Sequence, residues 1–227
     1  GTETMSNGDT YNGEFADNVR SGRGKITRFA TGTVIEAEYS EGVVLRGTIT
    51  ASDETYTGEL KEEEGGFWYE GQGSLKTFRG DTLSGRWEKS VLREGRIDYS
   101  SGERQDGEFN SDGNPHGKLT YTDKNGSTYS GNWTNGELNG EAELFYNGSR
   151  YTGAVVDVNP NGYGRFDWSN GTRTIGTWKT VQGATSSTTS LVDGEAEMSF
   201  ENGNVWRGIV VDGNPNGLGT FDFIGGY

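Results

Sequence analysis

Histidine is the side chain best suited to proton transfer near neutral pH, and this sequence has one, His116. A Ser-His-Asp arrangement would have to use it, and a multi-histidine metal site is excluded. It falls in Asn114-Pro-His-Gly117, where related segments carry Asn161 and Asn216, so it reads as a turn residue rather than a base. With no cysteine, thiolate nucleophiles, thiolate metal ligands and disulfides are excluded together. Calcium is the next metal to consider. Asp157-Val-Asn159-Pro-Asn161-Gly162 and Asp212-Gly-Asn214-Pro-Asn216-Gly217 fit the first half of a calcium loop, D-x-[DN]-x-[DN]-G, and Asp112-Gly-Asn114-Pro-His116-Gly117 nearly does. Such a loop also needs a bidentate Glu at its twelfth position, where these runs have Trp168, Phe223 and Asp123. Asn, Asp, Pro and Gly are equally the residues of plain turns, and that is how these runs are read. Carboxylate pairs for glycoside hydrolysis are available among 34 Asp and Glu, but the sequence pattern singles out none of them. No catalytic, cofactor-binding or metal-binding residue is marked, and the chain is not expected to be an enzyme.

The scaffold that would position any site is unusual. Hydrophobic residues make up 30% of the 227 residues, where a typical globular chain has roughly 45–50% even with Gly counted in. The 39 Gly cannot fill a core, so a thick two-layer interior is not expected. Disordered chains are poor in aromatics, whereas 6 Trp, 11 Tyr and 10 Phe are spread along this one. The net charge of −14 disfavours nucleic acid, which is held by Lys and Arg on phosphates. It also disfavours anionic membrane surfaces, which attract basic segments. No apolar run approaches the ~18 residues of a membrane-spanning helix. The lack of cysteine fits a reducing compartment or a secreted protein without disulfides.

The order is a repeat. Tyr11-Asn-Gly13-Glu-Phe15 recurs as Tyr56-Thr-Gly58-Glu-Leu60, Leu83-Ser-Gly85-Arg-Trp87, Gln105-Asp-Gly107-Glu-Phe109 and Tyr129-Ser-Gly131-Asn-Trp133. It returns as Tyr151-Thr-Gly153-Ala-Val155, Thr174-Ile-Gly176-Thr-Trp178 and Trp206-Arg-Gly208-Ile-Val210, with a degenerate copy at Ile35-Glu-Ala37-Glu-Tyr39. The copies follow at intervals of roughly 24 residues, the signature of a tandem array. Each has a second half in which Gly-x-Gly leads into an alternating run, as in Gly22-Arg-Gly24-Lys-Ile26-Thr-Arg-Phe29 and Gly162-Tyr-Gly164-Arg-Phe166-Asp-Trp168. A period of two marks a strand with one buried face. Asn-Gly pairs such as Asn125-Gly126, Asn147-Gly148, Asn170-Gly171 and Asn202-Gly203 are strong hairpin signals. The pattern predicts an all-β, elongated and twisted single-layer antiparallel meander of about nine tandem hairpins.

The series Y-x-G-x-[FW], a turn, [NH]-G-x-G-x-[FLM]-x-[FYW] and a closing N-G resembles the MORN repeat (membrane occupation and recognition nexus), over residues 5–224. That resemblance implies a non-catalytic protein-interaction or scaffold array with one or more protein partners and no cofactor. A membrane- or phosphoinositide-associated module is the second reading. A secreted carbohydrate- or cell-surface-binding array is the third. Ala37, Ala142 and Ala196 stand where the repeat has Gly, and Ala184–Val192 is read as an inserted flexible loop. Residues 1–227 are expected to form a single array. It starts and ends mid-repeat, which is expected of an excerpt of a longer array or of ends covered by a partner. Open terminal strand edges also invite homodimers or end-to-end association.

The lead aromatics are expected to be core: Tyr11, Phe15, Tyr56, Trp87, Phe109, Trp133, Tyr151 and Trp178, with Tyr129. The candidate interaction residues lie outside those slots. They are Phe67-Trp68-Tyr69, read as a turn after Glu62-Glu-Glu64, and Tyr163, in the variable position of its Gly-x-Gly.

Overall fold

The computed structural model describes residues 1–63, 66–182 and 187–224, and among them there are twenty strands and no helix. The chain divides into two compact units, Gly1–Asn114 and Pro115–Tyr227. The first holds β1 (Thr2–Thr4), β2 (Thr10–Ala16), β3 (Val19–Thr27), β4 (Val34–Ser40), β5 (Val43–Thr50), β6 (Glu54–Glu63), β7 (Gly66–Thr77), β8 (Thr82–Glu88), β9 (Val91–Asp98) and β10 (Arg104–Phe109). Each pairs antiparallel with the strand that follows it, so this unit is an open meander. The second holds β11 (Pro115–Thr122), β12 (Thr128–Thr134), β13 (Glu137–Tyr146), β14 (Ser149–Val156), β15 (Asn159–Asp167), β16 (Arg173–Gln182), β17 (Ser187–Leu191), β18 (Gly194–Ser199), β19 (Val205–Val211) and β20 (Asn214–Asp222). It too is an antiparallel meander, with one branch: β16 pairs with β18 at its start and with β17 at its end.

The Gly slots of the repeat line up across the strands. In the first unit Gly13, Gly24, Ala37, Gly47, Gly58, Gly73, Gly85, Gly95 and Gly107 form a row of cross-strand neighbours. On one side of that row, on the same face, lie Tyr11, Ile26, Ile35, Ile49, Tyr56, Leu75 and Ile97; on the other lie Tyr39, Val44, Leu60, Tyr69, Trp87 and Leu92, all buried. The two apolar rows meet over the glycines. Tyr56 stacks on Tyr69 with centroids 3.9 Å apart and meets Trp87 edge-on at 5.6 Å, while Tyr11 meets Tyr39 edge-on at 5.6 Å. A single sheet thus makes its own core by creasing along the glycine row. Under an aromatic lid there is no space for a side chain in the crease. A Cβ on Gly58 would lie 2.5 Å from Gly73 Cα and 2.5 Å from Tyr56 Oη.

Backbone carbonyls at the crease accept hydrogen bonds from most lids, whereas the buried Tyr39 hydroxyl has no hydrogen-bond partner among the described residues. Tyr11, Tyr56 and Tyr151 each donate from Oη to the carbonyl three residues on, at 3.0, 2.9 and 2.8 Å. Trp87, Trp133 and Trp178 donate Nε1 to the carbonyls of Gly73, Leu119 and Gly164 at 3.1, 2.8 and 3.1 Å. Of the expected core aromatics, Tyr11, Tyr56, Trp87, Phe109, Trp133, Tyr151 and Trp178 are buried, Tyr129 is half-buried, and Phe15 is exposed on the rim.

Successive hairpins are also tied turn to turn. Side-chain oxygens of Asp9, Asp81, Ser149 and Asn204 accept the backbone N–H of Phe29, Ser100, Ser169 and Ile224 at 2.9, 2.8, 3.1 and 3.1 Å. Only one of the four Asn-Gly pairs is a two-residue turn with both residues at positive φ: Asn147 at 51° and Gly148 at 75°. Asn125-Gly126, Asn170-Gly171 and Asn202-Gly203 close wider turns instead, in which the glycine N–H returns to the carbonyl three residues earlier, 2.8–3.0 Å away.

Two expectations need correction. Part of the inserted segment is strand: Ser187–Leu191 is β17, pairing with Trp178–Gln182, and Thr180 Oγ1 lies 2.7 Å from Thr189 Oγ1. Thr residues favour a pleated surface, and β17 brings Leu191 into the core over Gly176; Ala184–Ser186 lies outside the described residues. Secondly, His116 stands exposed in β11 and Asn161 in β15, just beyond the turns to which they were assigned.

The phenols of Tyr39, Tyr56, Tyr146 and Tyr151 are pushed up to about 12, in every case first by burial. An acid whose folded value is raised adds stability below its unfolded value, near 10 for Tyr, and that stability is lost as pH climbs towards 12. Raising the pH from 9 to 12 is therefore expected to release the β-sheet circular dichroism together with the tyrosinate absorbance at 295 nm. Ionisation of these four phenols near pH 10 with the sheet intact would refute the burial argument.

Candidate functional site

Alternation along each strand sends the residues flanking the glycine row to the opposite face, which is polar. Over β2 to β7 this face is concave and encloses 690 Å³, with Gly24, Ala37, Gly47 and Gly58 in its floor. Register sets its side chains in two rungs. One runs Arg23, Glu38, Arg46, Glu59, and the other Lys25, Glu36, Thr48, Thr57. Charges alternate along the first. Lys25 Nζ is 3.2 Å from Glu36, Arg23 Nε is 4.0 Å from Glu38, and Thr48 and Thr57 share a 3.1 Å hydroxyl contact. Glu59 accepts the backbone N–H of Gln72 at 3.1 Å, and Glu14 that of Arg23 at 3.0 Å. Arg46, between Glu38 and Glu59, makes no ion pair among the described residues.

Exposed ion pairs are worth about 0–1 kcal/mol, so the ladder adds little to stability and its charges are free to exchange partners. The face offers guanidinium, ammonium, carboxylate and hydroxyl groups at strand spacing and carries no nucleophile–base pair. Among the described residues no group of three or more His, Asp or Glu is placed to hold a metal ion.

The residues singled out by sequence do not come together. Phe67, Trp68 and Tyr69 lie in β7, paired with Glu62, Lys61 and Leu60, rather than in a turn. Hairpin β6–β7 runs on as strand past its bulge at Gly58/Leu60, so alternation divides the three aromatics between faces. Tyr69 belongs to the core, its Oη 2.5 Å from Glu54, and burial first and then that bond push the phenol up. Trp68 is exposed on the other face, and Phe67 is half-buried with the Arg28 guanidinium 5.8 Å from its ring centroid. Tyr163, in β15 of the second unit, is 67% exposed across from Thr177. Sequence reading missed the charge ladder, whose signal is an Arg or Lys in one strand registering with a Glu in the next.

Antiparallel hairpins joined in series, with a Gly at each crease and an aromatic lid over it, define a β-hairpin repeat protein. The MORN repeat pattern is matched at residues 11–29, 106–128, 129–150, 151–173 and 206–226, and the chain is a MORN-repeat protein. Among solved structures it is similar to the wild-type TCP10 domain of Danio rerio CPAP, with 15% identity over 93% of this chain and 98% of that one and a TM-score of 0.47. The same domain in complex with a peptide of Danio rerio STIL aligns with 14% identity over 93% and 97%, with a TM-score of 0.43. No curated protein sequence matches. No described helix is long and apolar enough to cross a membrane.

Proposed function

We propose that this chain is a non-catalytic protein-interaction array, residues 1–227 acting as one series of MORN repeats, and that the concave polar face of β2–β7 is a docking surface. The observation that carries this reading is the exposed charge ladder on a small-residue floor: Arg23, Lys25, Glu36, Glu38, Arg46 and Glu59 over Gly24, Ala37, Gly47 and Gly58. Ion pairs held in water cost little to exchange for pairs with a partner, and complementary charge then sets register and association rate. The repeat identity agrees, since the same motif recurs in both units.

The test is quantitative capture from the source cell with wild-type chain and with the double variant Lys25→Glu, Arg46→Glu. A protein retained by wild type and reduced at least tenfold by the variant is the expected result. Equal retention by the two, or retention of a lipid or glycan in place of protein, would overturn the reading.

A further inference from the structure

The second unit has an arginine-rich depression that neither the repeat nor the charge ladder accounts for. Register places Phe145, Arg150, Asp167 and Arg173 side by side across β13 to β16, on the face away from the glycine row. Arg165 stands two residues before Asp167 on the same face, and Trp168 follows it. These side chains line a hollow of 660 Å³. One carboxylate organises it: Asp167 accepts a hydrogen bond from Arg173 Nε at 2.6 Å and forms an ion pair with Arg165 Nε, 2.8 Å away but outside hydrogen-bond geometry. Arg150 is 3.8 Å from Glu143. Three guanidinium groups thus face two carboxylates, a local surplus of positive charge in a chain whose net charge is −14. Among the described residues none of the three arginines makes a hydrogen bond through its Nη atoms; the contacts they do make run through Nε. The planar ends are left to the hollow.

Aromatic surface completes it. Phe145 is 39% exposed. Held guanidinium forks bind carboxylates two-pronged, and an exposed ring on the same face is an anchor for an apolar or aromatic side chain.

Taking the chain as a protein-interaction array, we propose that this hollow binds an acidic peptide segment carrying an aromatic residue, its carboxylates on Arg150, Arg165 and Arg173 and its ring against Phe145. The size of the charge surplus favours carboxylates. Each brings a single charge, whereas a polyphosphate would bring several into a hollow that already contains Asp167 and Glu143.

The test uses the full chain and fluorescein-labelled peptides read by anisotropy: acetyl-Glu-Asp-Trp-Asp-Glu-amide, its Gln/Asn analogue, and the analogue with Ala for Trp. Saturable binding of the first is expected, weakened at least tenfold in either analogue and by raising the salt from 50 to 300 mM. The variant Arg165→Gln, Arg173→Gln is expected to lose at least tenfold in affinity, and Arg104→Gln, an equal change of charge per site in the first unit, less than twofold. If the double variant melts more than a few degrees lower, Arg150→Gln, which leaves Asp167 its partners, takes its place with the same expectation. Absence of saturation by 1 mM peptide, equal loss in Arg104→Gln, or displacement by inorganic phosphate more effectively than by acidic peptide would overturn the proposal. Lys25→Glu, Arg46→Glu is expected to leave peptide binding unchanged. Loss of the captured partner in that variant with no peptide binding at the arginines would leave the docking reading intact and end this one.

Discussion

Replacing Gly73 by alanine is expected to destabilise the first unit by about 3 kcal/mol, at the upper end of what overpacking a close-packed interior costs. The added Cβ would stand 2.6 Å from Tyr56 Cε2 and nearer still to Cζ and Oη. The ring has nowhere to go. Its Oη donates to the Glu59 and Glu70 carbonyls at 2.9 and 3.3 Å, one face stacks on Tyr69, and Trp87 closes its edge. Either the Tyr56 lid lifts, losing those bonds and exposing a fully buried ring, or the two strands spread and break the crease. The control is Gly32→Ala, where φ is +70° but nothing lies within 4 Å of the new methyl. That change should cost about 1 kcal/mol, the left-handed penalty alone. Urea unfolding followed by circular dichroism would separate the two. Equal costs would mean that the repeat glycines are there for backbone conformation rather than for the aromatic lid.

The same geometry explains which parts of the repeat could be read from sequence. The period, the strands and the lead aromatics are legible because each follows from local pattern: alternation, Gly punctuation and an aromatic every second dozen residues. The irregular copies then become readable too. Ala37, Ala142 and Ala196 occupy the glycine row without strain because no aromatic lid lies over them. The lead residues there are Ile35, a half-buried Tyr129, and Thr174, and the space above Gly131 and Gly176 is taken by Leu138 and Leu191. The charge ladder and the arginine hollow were not legible, because each depends on which residue stands beside which in the next strand. Bulges at Gly13/Phe15, Gly58/Leu60 and Gly153/Val155 shift that register mid-strand, and no local pattern announces them. Phe67, Trp68 and Tyr69 mislead for a related reason. Three aromatics after an acidic run look like a decorated turn, yet once β7 is extended the alternation alone gives one of them to the core. The Ser/Thr-rich insertion looks like a linker, but beside β16 its threonines can form a ladder.

If the crease and its aromatic lid hold each unit together, the second unit should fail at Trp178. Trp178→Ala is expected to cost about 3–5 kcal/mol, the range for deleting a large buried aromatic. The indole is buried between strands, packs edge-on against Phe166 at 4.5 Å, and caps the Gly164 carbonyl at 3.1 Å. Trp178→Phe divides that loss. It keeps most of the ring contact but leaves the Gly164 carbonyl without its indole donor, which should cost about 1–2 kcal/mol. The comparison matters because the bond recurs at Trp87 and Trp133, each time reaching a carbonyl at the glycine-row position of the preceding strand, Gly73 and Leu119. A tryptophan in this position fastens one hairpin to the crease of the one before it. Hydrogen exchange resolved by residue would show the signature. In Trp178→Phe, protection should fall first across the β15–β16 pairing and leave the first unit unchanged. Uniform loss of protection over both units would mean that the indole acts through bulk packing and that the shared carbonyl is incidental.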